Sequence, residues 1–241
     1  SDSAHAVAFE LRGDEKIVLT GSVARGASIR WILDTGATKL TLFPRALRAA
    51  GVRLQPAREL SGLIATTVQG EERVRYRRLA TVAIDSQRGH ASAADVDAAL
   101  LETPLADALE RVMGVAVQGV LGQSFLRRFR HAIDYGARVL WLDPIDVARD
   151  QRTWEYCTIG VQLARRGRHT TLEAVATDSP ARRGGLRAGD RLLAVDGASV
   201  DALPLQEADL RLEGPPGSVV KLRVQRGARA FEVELTRKQL L

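Results

Sequence analysis

A strand-like run that ends in a carboxylate is the feature that most restricts what this chain can form. Residues 31–42 read WILDTGATKLTL, so an apolar run leads directly into Asp34, Thr35 and Gly36. An aspartate at the end of an apolar strand emerges into a partly desolvated loop, an environment that adapts carboxyl groups to acid–base work. Thr35 can fix such a loop through its hydroxyl, and Gly36 lets the backbone pass close to the carboxylate. The pattern indicates a rigid loop that presents an acid.

Length and composition favour two globular domains. The 241 residues are 45% hydrophobic and 27% charged, which is typical of a globular protein and excludes a disordered or fibrous one. A chain of this length can bury one large core or two smaller ones. No apolar run approaches the roughly 20 residues that a membrane-spanning helix needs, so no transmembrane segment is expected.

The basic charge does not indicate nucleic-acid binding. The net charge is +6, but the arginines are scattered through every segment of the chain. Short runs such as Arg127–Arg128 lack the interleaved aromatic residues on which single-stranded bases stack. We interpret the charge as a solvated arginine-rich surface and expect no nucleic-acid partner.

Short apolar runs separated by glycine and proline predict a mainly β chain with short helices. Residues 16–24 and 28–33 have the β-branched content of strands. A short helix is predicted from Pro44 to the residues before Gly51. Residues 119–129 predict an apolar strand that feeds a short helix, and residues 131–143 predict a hairpin. The chain then becomes polar.

The polar stretch is the predicted domain boundary. Residues 144–157 read PIDVARDQRTWEYC and carry no apolar periodicity. We therefore predict one domain over residues 1–148, a linker over 149–155 and a second domain over 156–241.

The Asp34 motif resembles the active-site loop of retropepsin-like aspartic proteases. In that family a hydrophobic-hydrophobic-glycine strand packs behind the catalytic loop and leads into a short helix and a closing hairpin, a pattern that residues 120–122, VLG, match. The resemblance covers roughly residues 7–143. It implies a closed β domain with short helices, in which Asp34 is catalytic while Thr35 and Gly36 support the loop.

The same resemblance implies a homodimer. Peptide hydrolysis by this route needs two carboxylates that share one proton. The chain offers one complete motif, because Tyr135 stands where a threonine would follow Asp134, and Asp196 belongs to the second domain. A single functional aspartate per chain implies that Asp34 meets its symmetry mate on a two-fold axis.

A protease of this family also needs a flap over the cleft. Residues 59–74, ELSGLIATTVQGEERV, are the best candidate, with Gly62, Leu63 and Ile64 in the first of two strand-like arms. This stretch contains fewer glycines than the flaps of the viral members.

Other chemistries find little support in the sequence. The four histidines show no metal-ligand spacing and no pairing with a serine nucleophile. Ser124 is not followed by the glycine that a nucleophile elbow needs, and Cys157 is interpreted as a packing residue. We expect neither a metal nor a cofactor.

The second domain resembles a PDZ domain of the bacterial type found attached to proteases. The resemblance covers roughly residues 156–237 and rests on the order of motifs in residues 178–200, DSPARRGGLRAGDRLLAVDGASV. It implies a β-sandwich or barrel capped by helices. Ile159, Gly160 and Val161 would form the loop that receives a peptide's C-terminal carboxylate. A bound peptide would add as a strand beside Val161, against a helix predicted over residues 205–212.

The leading hypothesis is therefore a dimeric aspartic endopeptidase whose PDZ domain recruits polypeptide substrates or C-terminal peptides. The alternative is a non-catalytic peptide-binding or scaffold protein with an inactive protease fold. Because the sequence does not begin with Met and PDZ domains accompany exported bacterial proteases, export to a periplasm is the expected location.

Overall fold

The computed structural model describes residues 5–23, 28–67, 70–145 and 156–241. The linker predicted over residues 149–155 lies outside these described residues. Among the described residues, no helix is both long enough and apolar enough to cross a membrane.

Strands dominate the chain and the helices are short, which confirms the mainly β class. In residues 5–144 the order is β1 (His5–Ala8), β2 (Glu10–Arg12), β3 (Lys16–Val23), β4 (Ile29–Leu33), β5 (Leu40–Leu42), α1 (Pro44–Ala49), β6 (Glu59–Thr67), β7 (Gly70–Ser86), β8 (Gly89–Leu100), α2 (Leu105–Met113), β9 (Gly119–Leu121), α3 (Gln123–Leu126), β10 (Phe129–Asp134) and β11 (Val139–Pro144). The remainder contains β12 (Cys157–Thr158), β13 (Val161–Arg166), β14 (His169–Val175), α4 (Pro180–Arg183), β15 (Arg191–Val195), β16 (Ala198–Ser199), α5 (Leu205–Leu210), β17 (Val219–Arg226), β18 (Arg229–Thr236) and β19 (Lys238–Gln239).

The chain divides into two compact units. The first contains the described residues up to 59 and those from 76 to 145, and the second contains residues 60–75 together with 156–241. The second unit therefore includes the facing ends of β6 and β7, which the sequence had placed with the first domain.

A closed barrel forms the centre of the first unit. The strands of the large sheet run in the order β2-β3-β4-β9-β5-β8-β7-β6, and β3 also pairs with β7. This additional pairing joins β3, β4, β9, β5, β8 and β7 into a ring, as the predicted retropepsin-like domain requires. Gly21 permits the closure: a Cβ at this position would lie 2.0 Å from the Ala83 carbonyl oxygen. Beside the barrel, β1, β11 and β10 form a three-stranded antiparallel sheet.

Large apolar side chains fill the barrel next to the Asp34 loop. Trp31 on β4, Phe43 before α1 and Phe125 on α3 are at most 1% exposed. Burial of a side chain of this size contributes about 1.5–3 kcal/mol. These three residues fix the strand that enters the loop and the helix that lies behind it.

The second unit has its own sheet and its own core. Its strands run in the order β13-β14-β15-β17-β18, with β16 beside β15, and β12 pairs separately with β19. Its core contains Leu172 and Leu222, each 1% exposed. Helix α5 ends at Leu210, two residues before the predicted end, because the carbonyl oxygen of Asp209 accepts from the Leu212 amide in a tighter turn.

Candidate functional site

Asp34 lies where β4 leaves the barrel. Strand β4 pairs in parallel with β9, so that Leu33 lies opposite Leu121, and the Asp34 amide continues this ladder by donating to the Leu121 carbonyl oxygen at 3.1 Å. The Gly36 amide donates to Asp34 Oδ1 at 2.9 Å. The backbone of the loop therefore fixes one carboxylate oxygen, and the carboxylate itself is exposed in the single chain.

The segment after β9 braces the loop from behind. Gln123 Nε2 donates to the Thr35 carbonyl oxygen at 2.7 Å, and the Gln123 amide donates to the Ala37 carbonyl oxygen at 2.8 Å. Gly122 lets these backbones approach, because a Cβ at this position would lie 2.4 Å from the Lys39 carbonyl oxygen. The hydrophobic-hydrophobic-glycine strand therefore lies against the Asp34 loop, as the resemblance implies.

A buried polar chain holds the far side of the loop. Ser124 Oγ accepts from the Leu40 amide at 2.7 Å and donates to the Asp97 carbonyl oxygen at 2.6 Å. Arg78 Nε donates to the Asp97 carboxylate at 2.9 Å. Ser124 and Asp97 are each 2% exposed, so their polar atoms are satisfied inside the protein. Ser124 is thus a structural residue with its hydroxyl proton already engaged.

The other two aspartate-glycine segments hold turns. Asp134 Oδ1 accepts from the Ala137 amide at 2.8 Å in the turn between β10 and β11. Asp196 Oδ1 accepts from the Lys221 amide at 2.8 Å in the second unit. Each carboxylate accepts from a backbone amide, as Asp34 does, but neither lies on the loop that β9 and Gln123 brace.

The candidate flap residues lie in the second unit and are bonded within it. The Thr177 amide donates to the Ser61 carbonyl oxygen at 2.8 Å, and the Ile64 amide donates to Gln162 Oε1 at 3.0 Å. Gly62 has a φ of +85°, and a Cβ there would lie 2.9 Å from both the nitrogen and Oγ1 of Thr177. The assignment of Gly62, Leu63 and Ile64 to a flap stays a prediction.

The predicted carboxylate-binding loop lies at the start of an edge strand. Gly160 has a φ of +82°, and a Cβ at this position would lie 2.4 Å from the Ser179 Cβ. Ile159 is fully buried, and its carbonyl oxygen accepts from the Ala181 amide. Val161 begins β13, which pairs with β14 on one side and, among the described residues, has no strand on its other side. This arrangement leaves a strand edge to which an extended peptide can add.

The chain's own C-terminal segment supports the same loop. Strand β19 pairs with β12, and the Leu240 amide donates to the Tyr156 carbonyl oxygen at 2.9 Å. Leu240 is 2% exposed and packs beside Gly160. Cys157 is fully buried: burial raises the pKa of its thiol, against the opposing charge of Arg237. Cys157 is therefore the packing residue that the sequence predicted.

An ion pair with a buried carboxylate stabilises the second unit. Arg226 donates to both oxygens of Asp190 at 2.6 and 2.7 Å, and the Arg187 amide donates to the same carboxylate at 2.9 Å. Burial raises the pKa of Asp190, but these hydrogen bonds and the arginine charge outweigh it, so that the pKa lies below its usual value. Asp190 is consequently ionised at neutral pH.

Sequence reasoning singled out Asp34, whose catalytic role stays a prediction, but missed the residues that position its loop. Gln123 contacts the loop through a bond that spans 88 residues, Asp97 contacts Ser124 behind it through a bond that spans 27 residues, and neither Gln123 nor Asp97 was singled out. The one available signal for Gln123 was its place directly after Gly122.

The geometry defines a class of protein: a closed β barrel that presents one braced aspartate, joined to a β unit in which β13 is an edge strand among the described residues. Residues 19–125 match the family model described as aspartyl protease, and residues 171–226 match that described as PDZ domain. The chain thus combines an aspartyl protease-like domain with a PDZ domain.

Similar proteins include relatives of each part. The chain is 28% identical over 86 residues to a protein named probable CtpA-like serine protease from Staphylococcus haemolyticus. The matched segment covers 36% of this chain and 17% of that protein. The chain therefore spans less than a fifth of the length of the curated relatives that it matches. Among solved structures, a retropepsin-like aspartic protease from Rickettsia conorii is 21% identical, covers 58% of this chain and 98% of its own, and has a TM-score of 0.38. The PDZ domain of a carboxy-terminal protease from Vibrio cholerae, solved with a peptide, is 28% identical, covers 34% of this chain and 92% of its own, and has a TM-score of 0.31.

Proposed function

We propose that the chain is an aspartic endopeptidase whose active site forms when two copies bring their Asp34 residues together. The observation that carries this proposal is the exposed carboxylate of Asp34 on a loop that β9 and Gln123 brace from behind. The chain has one complete Asp34 motif, Asp134 lies at the β10–β11 turn and Asp196 lies in the PDZ domain, so in this proposal the second carboxylate comes from a second copy.

In this proposal the two Asp34 side chains share one proton. Like-charge repulsion keeps one carboxyl protonated while the other is ionised. The ionised Asp34 removes a proton from water, which attacks the scissile carbonyl carbon, and the protonated Asp34 donates a hydrogen bond to the carbonyl oxygen. The tetrahedral intermediate then collapses: the C–N bond breaks as an aspartyl proton passes to the leaving nitrogen, which releases an amine and a carboxylic acid. The bond from the Gly36 amide to Asp34 Oδ1 restricts the orientation of each carboxyl, so that little reorganisation is needed during the reaction.

The remaining parts have supporting roles in the same proposal. Gly62, Leu63 and Ile64 act as the flap that covers the bound substrate. Ile159, Gly160 and Val161 receive the carboxylate of a C-terminal peptide, and the free edge of β13 pairs with the peptide backbone. Capture by the PDZ domain raises the local concentration of the substrate without any new catalytic contact.

Cleavage of an unstructured protein such as casein tests the proposal. We expect the intact chain to cleave casein with a bell-shaped dependence between about pH 4 and 8, because a proton-sharing dyad fails when both carboxyls are protonated or both are ionised. Asp34→Asn should abolish cleavage while light scattering still records a dimer. A folded dimer that never cleaves would favour the alternative of a non-catalytic peptide-binding scaffold. The periplasmic location stays a prediction that cell fractionation would check.

A further inference from the structure

A basic cavity lies within the PDZ domain, apart from the carboxylate-binding loop. Its volume is about 690 Å³, which is within the range of sites that hold a ligand group. Its lining consists of the last turn of the β13–β14 hairpin, one residue of β15 and the segment before α5: Arg165, Gly167, Arg168, His169, Arg191 and residues 201–204.

The lining carries more positive charge than its own carboxylate can neutralise. Asp201 is the one acidic lining residue, and it accepts from Arg191 at 2.6 Å. The guanidinium of Arg165 donates to the carbonyl oxygens of Asp201 and Leu203. Its positive charge is therefore not neutralised by a carboxylate of any described residue. Arg168 is exposed and forms no ion pair with any residue that the structure describes. The cavity is therefore complementary to an anion.

One donor in the cavity wall is buried and unused. Arg191 Nε is buried and, within the described part of the chain, has no hydrogen-bond partner. A buried donor without a partner is unfavourable, so an acceptor that reaches it is favoured. Nη2 of the same guanidinium already donates to the Asp201 carboxylate.

The cavity lies at the upstream end of the proposed peptide groove. Val161 begins β13 and Arg165 is four residues further on, about 13 Å away at the rise of a strand. A peptide that pairs antiparallel to β13, with its carboxylate at Gly160, runs toward this end. Its residues about three to five before the last would then reach Arg165 and Arg168.

We propose that this cavity binds an acidic side chain of the peptide, so that the PDZ domain selects chains with Asp or Glu about three to five residues before an apolar C-terminus. The inference rests on the proposed peptide binding at Ile159, Gly160 and Val161. It adds a charge requirement that the carboxylate-binding loop cannot impose, because that loop contacts only the end of the peptide.

Fluorescence anisotropy with the full chain and two labelled ten-residue peptides tests the inference. Both peptides end in leucine; one carries Glu three, four and five residues before its last residue, and the other carries Gln at the same places. We expect the Glu peptide to bind about three- to tenfold more tightly, as one or two partly exposed charge pairs allow. The difference should shrink as salt is raised, because exposed charges are screened.

Arg168→Gln identifies the arginine involved and is matched by Arg229→Gln. Both arginines are exposed at the end of a β-hairpin, Arg168 in the turn and Arg229 as the first residue of β18, and Arg229 is not in the cavity lining. Arg168→Gln should weaken binding of the Glu peptide and leave binding of the Gln peptide unchanged. Arg229→Gln should change the affinity for neither peptide. Equal binding of both peptides by the intact chain would overturn the charge requirement and leave peptide capture standing. Failure of both peptides to bind would overturn peptide capture, and the inference with it.

Discussion

Individual residues hold the Asp34 loop from positions far along the chain. Gln123 contacts Thr35 across 88 residues of sequence, and Ser124 contacts Leu40 across 84. Each bond removes freedom from the loop before a substrate arrives. Because catalysis by the proposed dyad would depend on the carboxyl groups being held in a productive orientation, these contacts should affect the rate more than the binding of substrate.

Gln123→Leu tests this positioning role. Leucine keeps most of the volume of the side chain but cannot donate to the Thr35 carbonyl oxygen. We expect kcat for casein-derived peptides to fall about five- to tenfold with little change in KM, since one hydrogen bond contributes about 1 kcal/mol. Gln225→Leu is the matched control, because Gln225 Nε2 donates to the Gly227 carbonyl oxygen in the PDZ domain. An equal loss of kcat in both variants would argue against a specific role for Gln123.

The Asp190–Arg226 pair should make the PDZ domain sensitive to acid. Since the pKa of Asp190 is lowered by folding, its ionised form stabilises the folded state above its unfolded pKa, near 3.9. This contribution is lost as the pH falls below about 4 and through the folded pKa. Arg226→Gln should lower the unfolding free energy at pH 7 and lower it by less at pH 3, because protonation of Asp190 removes the ion pair.

Urea unfolding followed by circular dichroism at pH 7 and pH 3 measures both values. Arg223→Gln, at an exposed site on the same strand β17, serves as the control. If Arg226→Gln destabilised the protein equally at both pH values, the ionised pair would not be the source of the effect.

At the level of elements, local signals predicted those parts that carry clear turn and capping residues. Helix α1 begins at Pro44, and the β10–β11 hairpin turns after Asp134, both as predicted. Strand β8 was missed, because residues 89–100, GHASAADVDAAL, are rich in alanine and aspartate, which have low β-propensity. Its pairing with β5 and β7 inside the barrel, a tertiary effect, overrides that preference.

The same limit explains which part of the site the sequence revealed. The Asp34 loop is a local pattern, so a short motif identified it. The braces from Gln123 and Ser124 depend on which strands become neighbours in the barrel, and no local spacing encodes that. The grouping of residues 60–75 with the PDZ unit likewise depends on contacts such as Ser61 with Thr177.

Gly62→Ala should loosen the hairpin formed by the ends of β6 and β7. The new Cβ would meet the nitrogen and Oγ1 of Thr177 at 2.9 Å, and the positive φ disfavours alanine. We expect faster hydrogen exchange at the Ile64 amide, whose bond to Gln162 lies in the same contact. Gly70→Ala is the control, since Gly70 also has a positive φ but has no atom within 4 Å of a new Cβ. Equal exchange rates in the two variants would assign the effect to backbone strain alone.

At the scale of the whole molecule, each chain of the proposed dimer contributes one aspartate to a shared site and one complete PDZ domain. A dimer would then have one catalytic dyad and two peptide grooves. Two grooves can hold two segments of one substrate, so effective concentration rather than new contacts would raise the rate on long chains.

Mixing intact chains with Asp34→Asn chains tests the shared dyad most directly. The two proteins are refolded together at a fixed total concentration, and casein cleavage is measured as the intact fraction is varied. If both Asp34 residues of a dimer are needed, cleavage follows the square of the intact fraction, about one quarter of the full rate at an equal mixture. Asp134→Asn in the same series should leave the rate unchanged, since Asp134 holds a turn. A rate that falls in direct proportion, to about one half at an equal mixture, would contradict the shared dyad.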